Sequence, residues 1–96
     1  MTITKIIENN NLKLDINGRL DSTTSGEFEK VLEDITDDVA SLTINMENVD
    51  YISSKGLRII VTIYKKLAGK PMEIINANSA VKEVFHLSGL TKIFNL

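Results

Sequence analysis

The stretch from residue 41 to residue 67 joins a strand pattern to a helix pattern through a turn rich in hydroxyl groups. Apolar and polar residues alternate over residues 42–46, which is typical of a strand with one buried face. From position 57 onward, apolar residues recur at helical spacing as far as Leu67. A helix is therefore predicted to begin near Ser53 or Ser54, since serine is a favoured N-cap. A buried strand that runs directly into a helix constrains the chain to an α/β fold.

The chain is predicted to open with a β-hairpin. Two short apolar-rich segments, residues 3–7 and 12–16, flank three asparagines at positions 9–11. Asparagine tolerates the left-handed backbone that a tight turn requires. Gly18 is expected to end the second strand, and a cluster of capping residues then precedes a helix predicted over residues 24–36.

The second half of the chain repeats the order of strand and helix. A short strand is predicted at Met72–Ile75, and a third helix from Ser79 with Gly89 as its C-cap. The tail, residues 91–96, is expected to be an edge strand or a docked end. These elements predict one α/β domain over residues 1–96, in which an N-terminal hairpin leads into β-α units and a mixed sheet has its helices largely on one face.

Size and charge limit the possible functions. The 96 residues suffice for one small domain, and 11 Lys+Arg against 13 Asp+Glu give a net charge of -2 without a basic run. Direct binding to nucleic acid is not expected, because it rests on clustered cations. The absence of cysteine excludes disulfides and thiolate metal sites. With no secretory signal or long apolar run, we expect a soluble cytoplasmic protein without a membrane partner, metal or cofactor.

Two motifs carry a resemblance to a known family. The run YISSKGLR at residues 51–58, together with NGRLD at residues 17–21, resembles the two signature stretches of the STAS domain of bacterial anti-sigma factor antagonists. The resemblance covers nearly the whole chain and implies a STAS-like fold without catalytic activity. It also implies a regulator of transcription that binds an anti-sigma factor with serine kinase activity. Phosphorylation of a serine would switch binding off, and a separate phosphatase would restore it.

The resemblance also indicates which serine would accept the phosphate. In the more familiar form of the family, the turn reads Asp-Ser-Ser-Gly or Asp-Ser-Thr-Gly, and the hydroxyl residue before the glycine is the acceptor. Lys55 holds that place here. A second form, Ile-Ser-Ser-Ala-Gly-Leu-Arg, matches this chain at every place except Lys55. In that form the acceptor is the preceding serine, so the resemblance implies Ser54, with Ser53 in reserve.

The residues expected to bind the partner surround this turn. Loops that follow parallel strands meet at one edge of the sheet. Asp50 is interpreted as a turn residue at this edge. The resemblance implies that Asp21 orients the acceptor hydroxyl, and the alternative is that Asp21 caps the first helix. Gly56 is expected to keep the turn open to a partner's approach. The predicted partner-binding residues are Asp21, Ser53, Ser54, Lys55, Gly56 and Arg58.

Other interpretations of the same residues remain open. The serines could be helix caps only, or the chain could be a STAS docking module that binds constitutively because Lys55 has removed the switch. A hydrolase is disfavoured, because the Gly-x-Ser-x-Gly motif is absent and His86 has no identifiable orienting partner. A small-ligand sensor would require a cavity that no sequence pattern reveals.

Overall fold

After an opening pair of strands, strands and helices alternate along the chain. The computed structural model describes residues 1–94 and 96. The elements are β1 (Thr2–Glu8), β2 (Asn11–Leu20), α1 (Ser25–Glu29), β3 (Ser41–Ile52), α2 (Ser54–Lys66), β4 (Met72–Ile75), α3 (Ser79–Leu87) and α4 (Thr91–Phe94). A 3-10 turn, Lys30–Asp34, follows α1.

The strands form one mixed sheet in the order β1-β2-β3-β4. β1 and β2 are antiparallel, whereas β2 pairs with β3 and β3 with β4 in parallel. In β2, Leu12 and Leu14 are buried while Lys13 between them is partly exposed, so the two sheet faces differ in polarity. The helices cover the apolar face, and the core lies between it and them. The predicted fold class is confirmed.

The hairpin forms where the asparagines predict it. Asn9 and Asn10 have positive φ values of 51° and 68°, the left-handed conformation that a tight hairpin turn needs. The prediction that Gly18 ends β2 is wrong, because the strand continues to Leu20. Gly18 adopts φ 111° within the strand, next to a shift in the register between β2 and β3. Its conformation therefore marks an irregularity in the strand and not its end.

Two predicted boundaries change in the middle of the chain. The single helix predicted over residues 24–36 is wrong: α1 ends at Glu29, and the 3-10 turn continues the path. Gly26, near the start of α1, has poor helix propensity. The 3-10 turn after α1 keeps Val31 buried. The strand predicted over residues 42–46 is longer than expected, because burial on the apolar face continues as far as Ile52.

The C-terminal elements agree with the sequence in most respects. β4 and the start of α3 lie where they are predicted, and the Asn78 side chain caps α3 by accepting a hydrogen bond from the Val81 N–H at 2.8 Å. Gly89 takes φ 72°, and the N–H of Leu90 donates to the carbonyl of Phe85 at 2.9 Å. This is the glycine C-cap that the sequence predicts.

The tail is a docked end and not an edge strand. α4 buries Phe94, whose ring meets the rings of Phe85 and Tyr64 edge-on, with centroids 5.5 and 5.6 Å apart. Leu96 packs against the core as well. The edge-strand alternative is therefore wrong, and Asn95, within the predicted tail, lies outside the described residues. Within the residues that the structure describes, no helix is both long enough and apolar enough to cross a membrane.

Candidate functional site

The carboxyl ends of β2 and β3 are tied together at one edge of the sheet. The N–H of Ser53 donates to the carbonyl of Leu20 at 2.7 Å. The loop that begins at Asp21 and the turn that opens α2 therefore lie side by side, as parallel strands require. Asp50 is an exposed residue within β3, so its interpretation as a turn residue is wrong. Because β3 is longer than predicted, Asp50 lies inside the strand and not in the turn that follows it.

Ser53 and Ser54 occupy different places in the helix start. Ser53 is the N-cap of α2: its hydroxyl oxygen accepts a hydrogen bond from the N–H of Gly56 at 3.2 Å. Ser54 is the first residue of the helix and is exposed. Its hydroxyl makes no hydrogen bond to any described residue. The capping interpretation therefore holds for Ser53, whereas Ser54 has an accessible hydroxyl group.

This difference predicts different stability effects for the two serines. Ser53→Ala removes the cap, and we expect it to lower the free energy of unfolding by about 0.5–2 kcal/mol. Ser54→Ala removes only an exposed hydroxyl, so its effect should stay within about 0.5 kcal/mol. Urea denaturation followed by circular dichroism measures both values. Equal destabilisation by the two substitutions would contradict the assignment of the cap.

Gly56 is buried, which corrects the prediction that it keeps the turn open to a partner. A Cβ atom built on Gly56 would lie 2.9 Å from the carbonyl oxygen of Leu20 and 3.3 Å from Cγ1 of Ile52. The first turn of α2 thus packs directly against the ends of β2 and β3. The glycine allows this close approach, and the approach fixes where Ser53 and Ser54 stand.

Asp21 organises the turn between β2 and α1. Its Oδ1 accepts hydrogen bonds from the Thr23 hydroxyl at 2.6 Å, from the Thr23 N–H at 3.0 Å and from the Thr24 N–H at 3.2 Å. Arg19 Nε lies 3.3 Å from Oδ2. The Thr23 hydroxyl, the two N–H groups and Arg19 hold the pKa of Asp21 well below its usual range, against the opposing effect of desolvation. The carboxylate therefore fixes the turn before α1. The prediction that Asp21 caps the first helix is wrong, because Thr24 is the N-cap of α1, and the carboxylate makes no hydrogen bond to Ser53 or Ser54.

The lowered pKa of Asp21 predicts a loss of stability in acid. Because the folded pKa lies below the unfolded value of about 3.9, the stabilisation is complete above that value and is lost as the pH falls below it. We expect the stability difference between the wild type and Asp21→Asn to shrink between pH 6 and pH 2. Asp38→Asn, in an exposed loop, is the control and should show a small difference throughout. Urea midpoints at several pH values measure this, and a constant difference for Asp21→Asn would contradict it.

Two residues that the sequence analysis did not select stand beside this turn. Arg19 and Tyr51 are paired in the register of β2 and β3, and Arg19 Cζ lies 4.8 Å from the centroid of the Tyr51 ring. Both residues are exposed. They fall within the two motifs, but only the strand register shows that they touch. The motif spacing alone gave no signal of this contact.

The two remaining predicted residues lie on the exposed surface of α2. Lys55 and Arg58 are exposed on α2, a helix whose sequence has no acidic residue. His86 is exposed on α3, far along the chain from the serines. Among residues 1–94 and 96, no group of three or more His, Asp or Glu side chains is placed to hold a metal ion. The arrangement suits contact with another macromolecule through an exposed polar surface.

Sequence comparisons give a consistent set of relatives. The family model of the STAS domain matches residues 2–96. The anti-sigma-F factor antagonist RsfB of Mycobacterium tuberculosis is 28% identical over 99 residues, which cover 100% of this chain and 80% of the relative. The anti-sigma-B factor antagonist of Staphylococcus aureus is 29% identical over 87 residues, which cover 88% of this chain and 81% of the relative.

Comparison of structures confirms the predicted STAS-like fold. The anti-sigma factor antagonist SpoIIAA in its unphosphorylated form gives a TM-score of 0.83 at 19% identity, covering 95% of this chain and 84% of SpoIIAA. The phosphorylated form of SpoIIAA, a cell fate determinant of Bacillus, gives 0.75 at 17% identity, covering 95% and 86% of the two chains. At this level of identity the likeness concerns the fold alone.

Proposed function

The chain belongs to the STAS-domain family, and we propose that it is an anti-sigma factor antagonist whose binding is controlled by phosphorylation of Ser54. It binds an anti-sigma factor that has serine kinase activity, and it carries no catalysis of its own. The names of its relatives, RsfB and the Staphylococcus aureus protein, support the antagonist function. The exposed hydroxyl of Ser54 at the start of α2 is the single observation that supports the switch.

Ser54 is the better acceptor of the two serines. A kinase needs an accessible hydroxyl, and Ser54 is exposed whereas Ser53 is half-buried. The Ser53 oxygen already accepts the cap hydrogen bond from Gly56. Phosphorylation of Ser53 would modify the oxygen that caps the helix, whereas Ser54 can be modified without changing a described contact.

A phosphate on Ser54 is expected to leave the helix intact. It would stand at the amino end of α2, where the N–H groups and the helix dipole favour negative charge. Lys55 follows directly and is exposed, so it can pair with the phosphate or with the phosphates of a nucleotide in the bound kinase. The switch therefore acts on the binding surface and not on the stability of the fold.

The phosphate reverses the sign of the local charge. Within residues 17–21 and 50–58, which form the two adjoining segments of the site, cationic side chains outnumber anionic ones by one; the cations are Arg19, Lys55 and Arg58, and the anions are Asp21 and Asp50. A phosphoserine adds roughly -1.5 to -2 charges at neutral pH, which turns this net positive surface into a negative one. Repulsion of a partner selected for the positive surface, together with the cost of burying the phosphate, lowers the affinity. A separate phosphatase restores binding, and we place this exchange in the cytoplasm, where transcription takes place.

Release of a sigma factor tests the proposed antagonist function. Each serine-kinase anti-sigma factor encoded in the same genome is mixed with its sigma factor, and this protein is then added. We expect one anti-sigma factor to exchange its sigma factor for this protein, as size-exclusion chromatography would show. If this protein binds none of the anti-sigma factors, the proposed function is contradicted.

A further inference from the structure

An exposed pair of side chains borders the candidate site on the side away from the helices. Tyr51 is 41% exposed and the Arg19 side chain 59%. Their neighbours Leu20 and Ile52 are fully buried on the helix-covered face. Because successive side chains of a strand point to opposite faces, Arg19 and Tyr51 stand on the open face of the sheet.

The pair is held in place within the protein itself. The guanidinium lies 4.8 Å from the Tyr51 ring centroid, a distance at which a cation and an aromatic face attract each other. Arg19 Nε is also 3.3 Å from Asp21, whose carboxylate is fixed by the Thr23 hydroxyl. Side chains that are already ordered lose less conformational entropy when a partner binds. Arg19 and Tyr51 are thus prepared for contact before any partner arrives.

The same pair retains hydrogen-bonding capacity. A guanidinium has five N–H donors, and within residues 1–94 and 96 only the Nε of Arg19 donates to an acceptor. The remaining donors match the two oxygens of a carboxylate, which arginine binds bidentately. Tyrosine and arginine are also the residue types that most often dominate the energy of protein interfaces.

The pair is continuous with the proposed binding surface. Tyr51 is two residues before Ser53, and the N–H of Ser53 is bonded to the carbonyl of Leu20, the neighbour of Arg19. We infer that Arg19 and Tyr51 form a specificity-determining anchor for the anti-sigma factor, which presents an aspartate or glutamate carboxylate to Arg19 and an apolar group to Tyr51. This inference rests on the proposed function.

The charge of the surrounding surface favours an acidic partner. Lys55 and Arg58 are exposed on α2, which has no acidic residue to balance them. Arg19 and Asp21 form an ion pair and offset each other, so with Asp50 the surface keeps one net positive charge. An acidic surface on the partner would also be repelled by a phosphate on Ser54, so the anchor and the switch favour the same partner chemistry.

Surface plasmon resonance at two salt concentrations tests the anchor. It measures binding to the anti-sigma factor that exchanges its sigma factor for this protein. We expect Tyr51→Ala and Arg19→Ala each to weaken binding by about tenfold or more, as truncation of an interface hot spot does. Tyr51→Phe keeps the ring and should stay within about threefold of the wild type. Arg19→Ala should also reduce the salt dependence of association, because it removes an attractive charge.

Matched controls separate the anchor from general effects. Ile6→Ala changes a side chain that is also 41% exposed, on β1 at the edge of the sheet, and Lys92→Ala removes one positive charge from α4. Both should bind within about twofold of the wild type. If Tyr51→Ala and Arg19→Ala bind as the wild type does, the anchor is wrong while the proposed function stands. If no anti-sigma factor binds the wild type, the proposed function fails and the anchor with it.

Discussion

Gly56→Ala is expected to destabilise the protein by about 1–3 kcal/mol, the usual cost of forcing an extra methyl group into a packed site. The new Cβ would lie 2.9 Å from the backbone carbonyl of Leu20, which cannot rotate away as a side chain can. Because that carbonyl also accepts the N–H of Ser53, the start of α2 would have to move away from β2. Against a total stability of about 5–15 kcal/mol, this is a large effect.

Gly26→Ala provides the control for this substitution. Gly26 is also helical, within α1, and nothing lies within 4 Å of a Cβ built there. Replacing a helical glycine by alanine should then stabilise the protein by about 0.5–1 kcal/mol. Urea denaturation measures both variants, and the prediction is of opposite signs. If Gly56→Ala were as stable as Gly26→Ala, the close approach of α2 to Leu20 would be wrong.

Phosphoserine at position 54 is expected to lower the affinity for the anti-sigma factor by about 100-fold. Like-charge contact and an unpaired buried charge in an interface cost about 2–5 kcal/mol, and 1.4 kcal/mol corresponds to tenfold. The thermal stability should not fall, since the phosphate stands at the amino end of α2. Incorporation of phosphoserine during translation, followed by calorimetric titration and thermal denaturation, measures both quantities.

Phosphoserine at position 88 is the control for the added charge. Ser88 is exposed and directly follows the C-terminal end of α3. The sheet edge that carries Ser54 is at the other end of this helix. Phosphoserine at position 88 changes the net charge by the same amount but lies away from the proposed binding surface. The affinity of this variant should therefore stay close to that of the unmodified protein. An equal loss of affinity from both positions would mean that net charge, and not the local surface, controls binding.

The regular part of the fold could be predicted because it depends on local patterns. Alternating burial in β3, the helical spacing of α2 and the glycine C-cap after α3 are properties of short segments of sequence. The ends of helices and strands could not be predicted where tertiary packing decides them. α1 stops at Glu29 although apolar spacing continues, and a 3-10 turn buries Val31 in place of a longer helix.

The parts of the candidate site that the sequence did not predict are contacts between distant segments. The need for glycine at position 56 comes from Leu20, which is 36 positions earlier in the chain, and the Arg19–Tyr51 contact spans 32 positions. Both depend on the parallel register of β2 and β3, which has a shift near Gly18 that no local pattern indicates. The helix start at Ser53 and Ser54, by contrast, follows from local capping preference.

Intact-mass measurement after incubation with the anti-sigma factor and ATP tests the central claim most directly. The wild type, Ser54→Ala and Ser53→Ala are compared under the same conditions. We predict that the wild type and Ser53→Ala each gain one phosphate and that Ser54→Ala gains none. Loss of the phosphate only in Ser53→Ala would move the switch to the capping serine. A wild-type protein that binds the anti-sigma factor and stays unmodified would contradict the switch and favour a constitutive docking module, with Lys55 as its distinguishing residue.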